Sequence, residues 1–322
     1  MADPVIVVPT EPSSGSPSAP ATPAWKTIFV GPNGIRAVWR VLIFGVAATV
    51  FSYLLAVAVR FLFPGTTIGG FTILTPRAIY FSHGTLFLLT SCAALVMAKI
   101  ERRKYGDYGL PVKSAFGKDF WVGTAIGFLA ISGALLGIFA FHGFRVTGLA
   151  IHGNTILSAT IAWCIAMVLV GLGEEFAYRG YLQFTLTTGI GFWPSAILLS
   201  ALFGFAHGSN PGETKLGQLS VVIFGLLFCL FLRRTGNLWW AVGFHAGWDW
   251  GQTFFYGVRD SGIPAYHYLL DSTFTGPQWL TGGSVGPEAS IFTPIALGTV
   301  AILFSCVYRE RRYQPGTPRP RS

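Results

Sequence analysis

Three short segments hold ionisable side chains at helical spacing in otherwise apolar surroundings. They are EEFAYR (174–179), FGFAH (203–207) and HAGWD (245–249). In each segment, two side chains four positions apart share one face of a helix. Glutamate, histidine and aspartate can take up and return protons to a reacting group, so the segments are candidates for acid–base chemistry.

The two adjacent glutamates of the first segment must face different directions. Neighbouring residues on a helix point about 100° apart, so Glu174 and Glu175 cannot share one role. Glu175 and Arg179 stand four positions apart with the acid first, which is the favourable order for an ion pair. We therefore expect Arg179 to hold Glu175 and leave Glu174, which has no local partner, to act on a proton. The alternative is that all three form a purely structural ion-pair cluster.

The other two segments supply imidazoles. His207 follows Phe203 by one turn, and Phe203 is expected to pack rather than react. His245 precedes Asp249 by four positions, so the aspartate is expected to accept the Nδ1 proton of the ring and fix its tautomer. The alternative for these residues is a helix–helix hydrogen-bond network.

Two chemistries are open to the set if the three segments converge. Glu174 could deprotonate a water molecule while the two histidines stabilise an oxyanion. Alternatively, two imidazoles and a carboxylate could hold a zinc ion that activates the water. The remaining histidines have no partner at useful spacing and are expected to be structural or on the surface: His83, His142, His152 and His267.

The elements that must position these residues are membrane helices. The chain of 322 residues is 52% hydrophobic and only 11% charged, with a mean hydropathy of +0.56. A soluble domain carries about 25% charged residues. Apolar runs close to the length of a bilayer span recur along the chain. The eight predicted spans are 38–63, 80–100, 120–142, 155–178, 193–207, 216–234, 237–256 and 290–308. The predicted fold is therefore all-α, a polytopic membrane helix bundle of about eight transmembrane helices.

The net charge of +9 follows membrane topology and does not indicate nucleic-acid binding. With a cytoplasmic N-terminus and eight crossings, 17 of the 22 lysines and arginines fall on the cytoplasmic side. This asymmetry is what the positive-inside rule predicts. By length along its span, Glu174 is placed near the cytoplasmic end, so a cavity in the cytoplasmic half is expected.

The three segments, in this order along a polytopic chain, resemble the motifs of the CPBP family. This family comprises type II CAAX prenyl proteases and bacteriocin-processing membrane proteins, including lysostaphin-resistance-protein-A-like members, and is also called the ABI domain. Its pattern is EExxxR, FxxxH and HxxxN/D on successive membrane helices. The resemblance covers roughly residues 155–256.

The resemblance implies an intramembrane endopeptidase of the glutamate type, with a membrane-associated protein or peptide as substrate. It assigns the activation of water to Glu174 and supporting roles to the other motif residues: Glu175, Arg179, His207, His245 and Asp249. The third motif ends in aspartate where the prenyl proteases carry asparagine, so a zinc metallopeptidase stays open beside a site without a cofactor. The alternative function is a non-catalytic scaffold, maturation partner or immunity protein with the same fold.

The chain divides into four predicted regions. They are a disordered cytoplasmic tail (1–30), transmembrane helices 1–3 (31–150), the catalytic core of helices 4–7 (151–257), and an extracytoplasmic loop with helix 8 and a basic tail (258–322). The loop, 257–289, is rich in aromatic residues and is expected to pack on the membrane surface. We expect an integral protein of a bacterial inner membrane, with both termini cytoplasmic.

Overall fold

The computed structural model describes residues 24–31, 34–62, 72–210 and 212–315. Its α-helices, in chain order, are α1 (Ala24–Phe29), α2 (Ala37–Leu62), α3 (Pro76–Glu101), α4 (Lys118–Ala140), α5 (Asn154–Arg179), α6 (Tyr181–Ile190), α7 (Phe192–His207), α8 (Lys215–Thr235), α9 (Trp239–Asp249), α10 (Gln278–Thr281) and α11 (Phe292–Val307). A π-helical segment, Trp250–Phe255, follows α9 directly. The 3₁₀ turns are Tyr105–Tyr108, Val112–Ser114 and Pro287–Ala289. Two antiparallel strand pairs complete the described chain: β1 (Val30–Gly31) with β2 (Gly34–Ile35), and β3 (Phe144–Leu149) with β4 (Leu270–Phe274).

Each of the eight predicted spans contains a helix of the structure. They correspond in order to α2, α3, α4, α5, α7, α8, α9 with its π-helical extension, and α11. In the part of the chain that the structure describes, five helical stretches are long and apolar enough to cross a membrane, and α7 and α11 are shorter apolar helices. The prediction of a polytopic helical membrane protein is confirmed. Helix α6, which continues the path of α5 beyond Gly180, was not predicted.

Helices α4 and α9 pack through glycines on both sides. A Cβ atom added at Gly243 or Gly247 of α9 would lie 2.1 Å from a carbonyl oxygen of α4. A Cβ atom at Gly127 of α4 would lie 2.1 Å from a carbonyl oxygen of α9. Glycines four positions apart allow helix backbones in a membrane to approach this closely. The contact fixes α9, and with it His245, against the bundle.

Helix α5 lies between α3 and α9 through two further glycines. A Cβ atom at Gly171 would lie 2.7 Å from the carbonyl oxygen of Val242 in α9. One at Gly173 would lie 2.9 Å from the carbonyl oxygen of His83 in α3. Glu174 follows Gly173 directly, so the Glu174 side chain leaves the backbone where α3, α5 and α9 meet.

The long loop after α9 is tied to other segments of the chain; its packing on the membrane surface stays a prediction. Strand β4 of this loop pairs with β3, and Leu74 N donates to the carbonyl oxygen of Pro264 at 2.8 Å. Near its C-terminal end, Glu288 accepts hydrogen bonds from the backbone and hydroxyl of Ser261 at 3.0 and 2.9 Å. These hydrogen bonds make the loop part of the folded structure.

A buried ion pair joins α2 to the end of α3. Arg40 of α2 donates from Nε and Nη2 to the two carboxylate oxygens of Glu101, both at 2.8 Å. Tyr108 and Tyr181 donate to the same carboxylate at 3.0 and 2.7 Å. The partners of Arg40 come from distant parts of the chain, so no local pattern indicated this ion pair.

The two predicted tails lie partly outside the described residues. Residues 24–29, which the predicted tail includes, form α1, and Trp39 Nε1 donates to the carbonyl oxygen of Ile28 at 2.9 Å. Residues 1–23 of that tail, and 316–322 of the basic C-terminal tail, lie outside the described residues.

Candidate active site

The motif residues meet around one cavity of about 270 Å³. Glu174, His207, His245 and Asp249 all contribute to its lining, which comes from α3, α5, α7, α8, α9 and the loop after α9. The loop residues at the cavity are Asp260, Ser261, Ile263 and Glu288. We predicted this loop on the extracytoplasmic side and the cavity in the cytoplasmic half. Counting residues along one helix did not indicate that loop residues line the cavity, and the half of the membrane that holds it stays a prediction.

The two glutamates occupy different environments, as their helical spacing predicts. Glu174 faces the cavity, with its side chain 15% exposed. Glu175 is fully buried and lies 3.3 Å from Arg179 Nη1. Only Glu174 is therefore placed to meet a water molecule or a substrate. The catalytic roles of both residues stay predictions.

Arg179 is enclosed by apolar and aromatic groups. Its guanidinium carbon lies 4.3 Å from the ring centroid of Phe203. Its Nε and Nη2 atoms have no hydrogen-bond partner among the described residues. A Cβ atom at Gly225 of α8 would lie 2.4 Å from Nη2, so glycine is needed there to leave room for the guanidinium. Within the described ranges, Glu175 provides the one charged contact of this cation.

His245 joins the two glutamates. Its Nδ1 lies 3.0 Å from Glu175 Oε1, while its Nε2 lies 3.7 Å from Glu174 Oε2 and 3.4 Å from Asp249 Oδ2. Because an ionised carboxylate only accepts, Nδ1 carries a proton that it donates to Glu175. We had expected Asp249 to accept this proton, and that expectation is wrong. The spacing of four positions brings Asp249 to the ring, but to its other nitrogen, because Glu175 of α5 occupies the Nδ1 side.

His207 is oriented by its own helix. Its Nδ1 lies 2.8 Å from the carbonyl oxygen of Phe203, one turn earlier. A carbonyl oxygen accepts only, so Nδ1 carries the proton and Nε2 is the nitrogen left for the cavity. The Phe203 ring packs edge-on against the imidazole, with centroids 4.6 Å apart, and is only 3% exposed. Phe203 thus has the packing position that we expected.

One histidine that we expected to be structural or on the surface, His83, lies at the candidate active site. His83 of α3 places Nε2 3.2 Å from Glu174 Oε1 and lines the same cavity. It lies 91 positions before Glu174, and no spacing rule connects two residues on different helices.

Two carboxylates of the loop, Asp260 and Glu288, were also missed. One carboxylate oxygen from each of them and one from Asp249 lie within 4.8 Å of one another. Burial raises the pKa of Glu288 to about 8, and the neighbouring Asp260 carboxylate adds to the rise. Burial also raises the pKa of Asp260, against a hydrogen bond from Thr253 that lowers it. Their only sequence signal was a position in a long loop, which favours function without naming residues.

The donor arrangement does not match the zinc site that the sequence left open. That site needs His207, His245 and a carboxylate around one point. Among the described residues, the one set of three ligand-type side chains with donor atoms within 4.8 Å of each other is Asp249, Asp260 and Glu288. It contains no histidine, and oxygen-only sets suit magnesium, calcium or manganese rather than zinc.

A comparison with protein families identifies the stretch that carries the three motifs. Residues 155–251 match the family described as type II CAAX prenyl endopeptidase Rce1-like. No curated protein matches the chain. The match includes α5 to α9 and excludes α3 and the loop that contributes Asp260 and Glu288. Residues 155–251 therefore match the Rce1-like family of type II CAAX prenyl endopeptidases, and the resemblance predicted from the motifs is confirmed.

Proposed function

We propose that this integral membrane protein is an intramembrane endopeptidase in which Glu174 activates the attacking water. The family indicates a peptidase. The observation that carries the mechanism is that Glu174 faces the cavity with His207 and His245, while the adjacent Glu175 is withdrawn into a fully buried pair with Arg179. A carboxylate in a cavity shared with proton donors is the arrangement that general-base hydrolysis requires.

The reaction begins when Glu174 takes a proton from a water molecule. The water oxygen bonds to the carbonyl carbon of the scissile peptide, and the carbonyl oxygen becomes an oxyanion. His245 acts in its doubly protonated form: Nδ1–H is donated to Glu175, and Nε2–H is donated to this oxyanion. His207 can donate from Nε2 in its doubly protonated form. The carbon–nitrogen bond then breaks, and the leaving nitrogen takes the proton from Glu174, which returns as a carboxylate.

Glu175 and Arg179 support this step without contacting the substrate. Glu175 Oε1 lies near both His245 Nδ1 and Arg179 Nη1, at 3.0 and 3.3 Å. This carboxylate orients the imidazole, and the arginine balances its charge. Asp249 adds a second contact at Nε2 of His245.

The substrate class is a membrane-associated protein or peptide, because the cavity lies among helices that cross the bilayer. The family description names CAAX prenyl endopeptidases, so prenylated C-terminal peptides are the first substrates to test. We place the protein in a bacterial inner membrane with both termini cytoplasmic, as the charge asymmetry favours. The site as proposed works without a metal, so a purified and active sample should retain its activity in a chelator.

The test is cleavage by the purified protein in lipid nanodiscs. The probes are a farnesylated peptide ending in a CAAX sequence and the same peptide without the lipid. Wild type should cleave at least one of them, and Glu174→Gln should be slower by about 10²–10⁴-fold. Proteomics of membrane-anchored peptides in cells with wild type or Glu174→Ala extends the test to native substrates. Equal peptide profiles and no cleavage in vitro would favour the non-catalytic scaffold.

A further inference from the structure

Glu174 is also contacted by a histidine from outside the three motifs. His83 Nε2 lies 3.2 Å from Oε1 of the carboxylate, whereas His245 Nε2 lies 3.7 Å from Oε2. The two imidazoles therefore contact different oxygens of the same carboxylate. His83 comes from α3, outside the three motifs and outside the matched domain.

The tautomer of His83 is set by its neighbour in the chain. Ser82 Oγ lies 2.9 Å from His83 Nδ1 and 3.5 Å from the carbonyl oxygen of Ile79. The shorter contact has the hydroxyl donating to Nδ1, which leaves the ring proton on Nε2, facing Glu174. A hydrogen bond from this nitrogen to the carboxylate is of the charge-assisted kind.

The close packing of α3 against α5 supports this contact. Gly173 precedes Glu174, and a Cβ atom there would lie 2.9 Å from the carbonyl oxygen of His83. The absence of a side chain at Gly173 thus lets the backbone of α3 approach at the level of the candidate base. The His83 side chain is 24% exposed and lines the cavity, so it is not a packing group of the interior.

We infer that His83 is a positioning residue for Glu174, donating from Nε2 to Oε1 so that Oε2 is presented to the attacking water. This inference rests on the proposed function, because it concerns the geometry of the base. A glutamate side chain has several rotatable bonds, and a misplacement of about 1 Å can cost about 10²-fold in rate. A donor on Oε1, the oxygen that His245 does not contact, restricts that motion.

The test compares His83→Ala, His83→Gln and a control, His152→Ala, which removes an exposed histidine far from the motifs. The amide nitrogen of glutamine can take the place of Nε2 as donor. We expect His83→Ala to lower kcat about tenfold with KM little changed, and His83→Gln to recover most of the loss. His152→Ala should behave as wild type. A raised KM with unchanged kcat, or no recovery in His83→Gln, would overturn the inference.

A second measurement does not need cleavage. A hydrophobic carbodiimide modifies protonated carboxyl groups within membranes, and mass spectrometry reports labelling of the peptide that contains Glu174. Labelling should be about tenfold faster in His83→Ala, because the ionised carboxylate has lost a donor, and near wild type in His83→Gln. Glu174→Gln identifies the signal by its loss. If wild type and Glu174→Gln cleave alike, the proposed function fails. The labelling tests the contact between His83 and Glu174 independently of cleavage: equal labelling rates in wild type and His83→Ala would reject it.

Discussion

Glu174 and Glu175 are neighbours in the chain with opposite surroundings, and their amides should fail in different ways. In Glu175→Gln, the buried guanidinium of Arg179 loses its charged partner, which typically costs about 3–5 kcal/mol of folding free energy. In Glu174→Gln, the cavity keeps its shape, so a folded protein without cleavage is expected. Thermal unfolding in detergent together with peptide cleavage measures both. Equal loss of folded protein in the two variants would show that the roles are not divided.

Asp249 tests whether Glu175 is the partner that orients His245. Because Nδ1 of the imidazole is held by Glu175, Asp249→Asn should keep its fold and cleave within about tenfold of wild type. Asparagine occupies this position in the prenyl proteases that the motif resembles. Joint loss of activity and of a bound metal, measured by elemental analysis, would instead favour a zinc mechanism with Asp249 as a ligand.

Which site residues could be predicted from the sequence depends on how their contacts arise. The pair Glu175–Arg179 follows from a spacing of four on one helix, and it was predicted correctly. The partner of His245 Nδ1 was not, because a carboxylate on another helix competes with Asp249 for the same ring. His83 belongs to the same class: its contact depends on how α3 packs against α5, which no local pattern contains.

The close packing of α4 and α9 gives a prediction at the level of the element. A methyl group at Gly243 would meet the carbonyl oxygen of Phe120 at 2.1 Å, so the helices must separate. We expect Gly243→Ala to cost about 1–3 kcal/mol and to lower cleavage, since His245 moves with α9. Gly133→Ala is the matched control, because a Cβ atom there has no heavy atom within 4 Å. Equal unfolding midpoints for the two variants would contradict the packing argument.

The docking of the loop after α9 should depend on pH through Glu288. Its pKa of about 8 in the folded protein is above its ordinary value of 4.5. The folded state thus binds a proton that the unfolded chain has released, and the associated stability is full below about pH 4.5 and is lost as the pH rises through about 8. The groups that disfavour its charge are the Asp260 and Glu213 carboxylates, against hydrogen bonds from Ser261.

We expect hydrogen–deuterium exchange in residues 257–291, corrected for the intrinsic rate, to increase between pH 6 and pH 9 in wild type. In Glu288→Gln, where the side chain stays neutral, most of this increase should vanish. Glu310→Gln, at an exposed position, should keep the wild-type dependence. The same increase in wild type and Glu288→Gln would assign the dependence to another group.

At the scale of the whole molecule, hydropathy was enough to find the fold and not enough to find the cavity. Each predicted span contains a helix because a bilayer demands a long apolar stretch wherever the chain crosses. A loop has no such requirement, so the sequence did not indicate that residues around Asp260 and Glu288 enter the bundle. The ion pair between Arg40 and Glu101 was missed for a related reason: positions near span ends are compatible with exposure or burial.

The predicted membrane topology can be tested directly. Between the loop that precedes α4 and the loop that follows α9, the prediction has the chain cross at α4, α5 with α6, α7, α8 and α9, an odd number of passes. The two loops must then lie on opposite sides of the membrane.

Val112 and Tyr266 are 82% and 56% exposed and serve as positions for single cysteines in a background without Cys92, Cys164, Cys229 and Cys306. In sealed vesicles of known orientation, a membrane-impermeant maleimide should label Val112→Cys from the cytoplasmic side and Tyr266→Cys from the other. Labelling of both from one side would require one of the five passes to return without crossing. The shortest of these helical passes, α7 or α9, would then be the segment to re-examine.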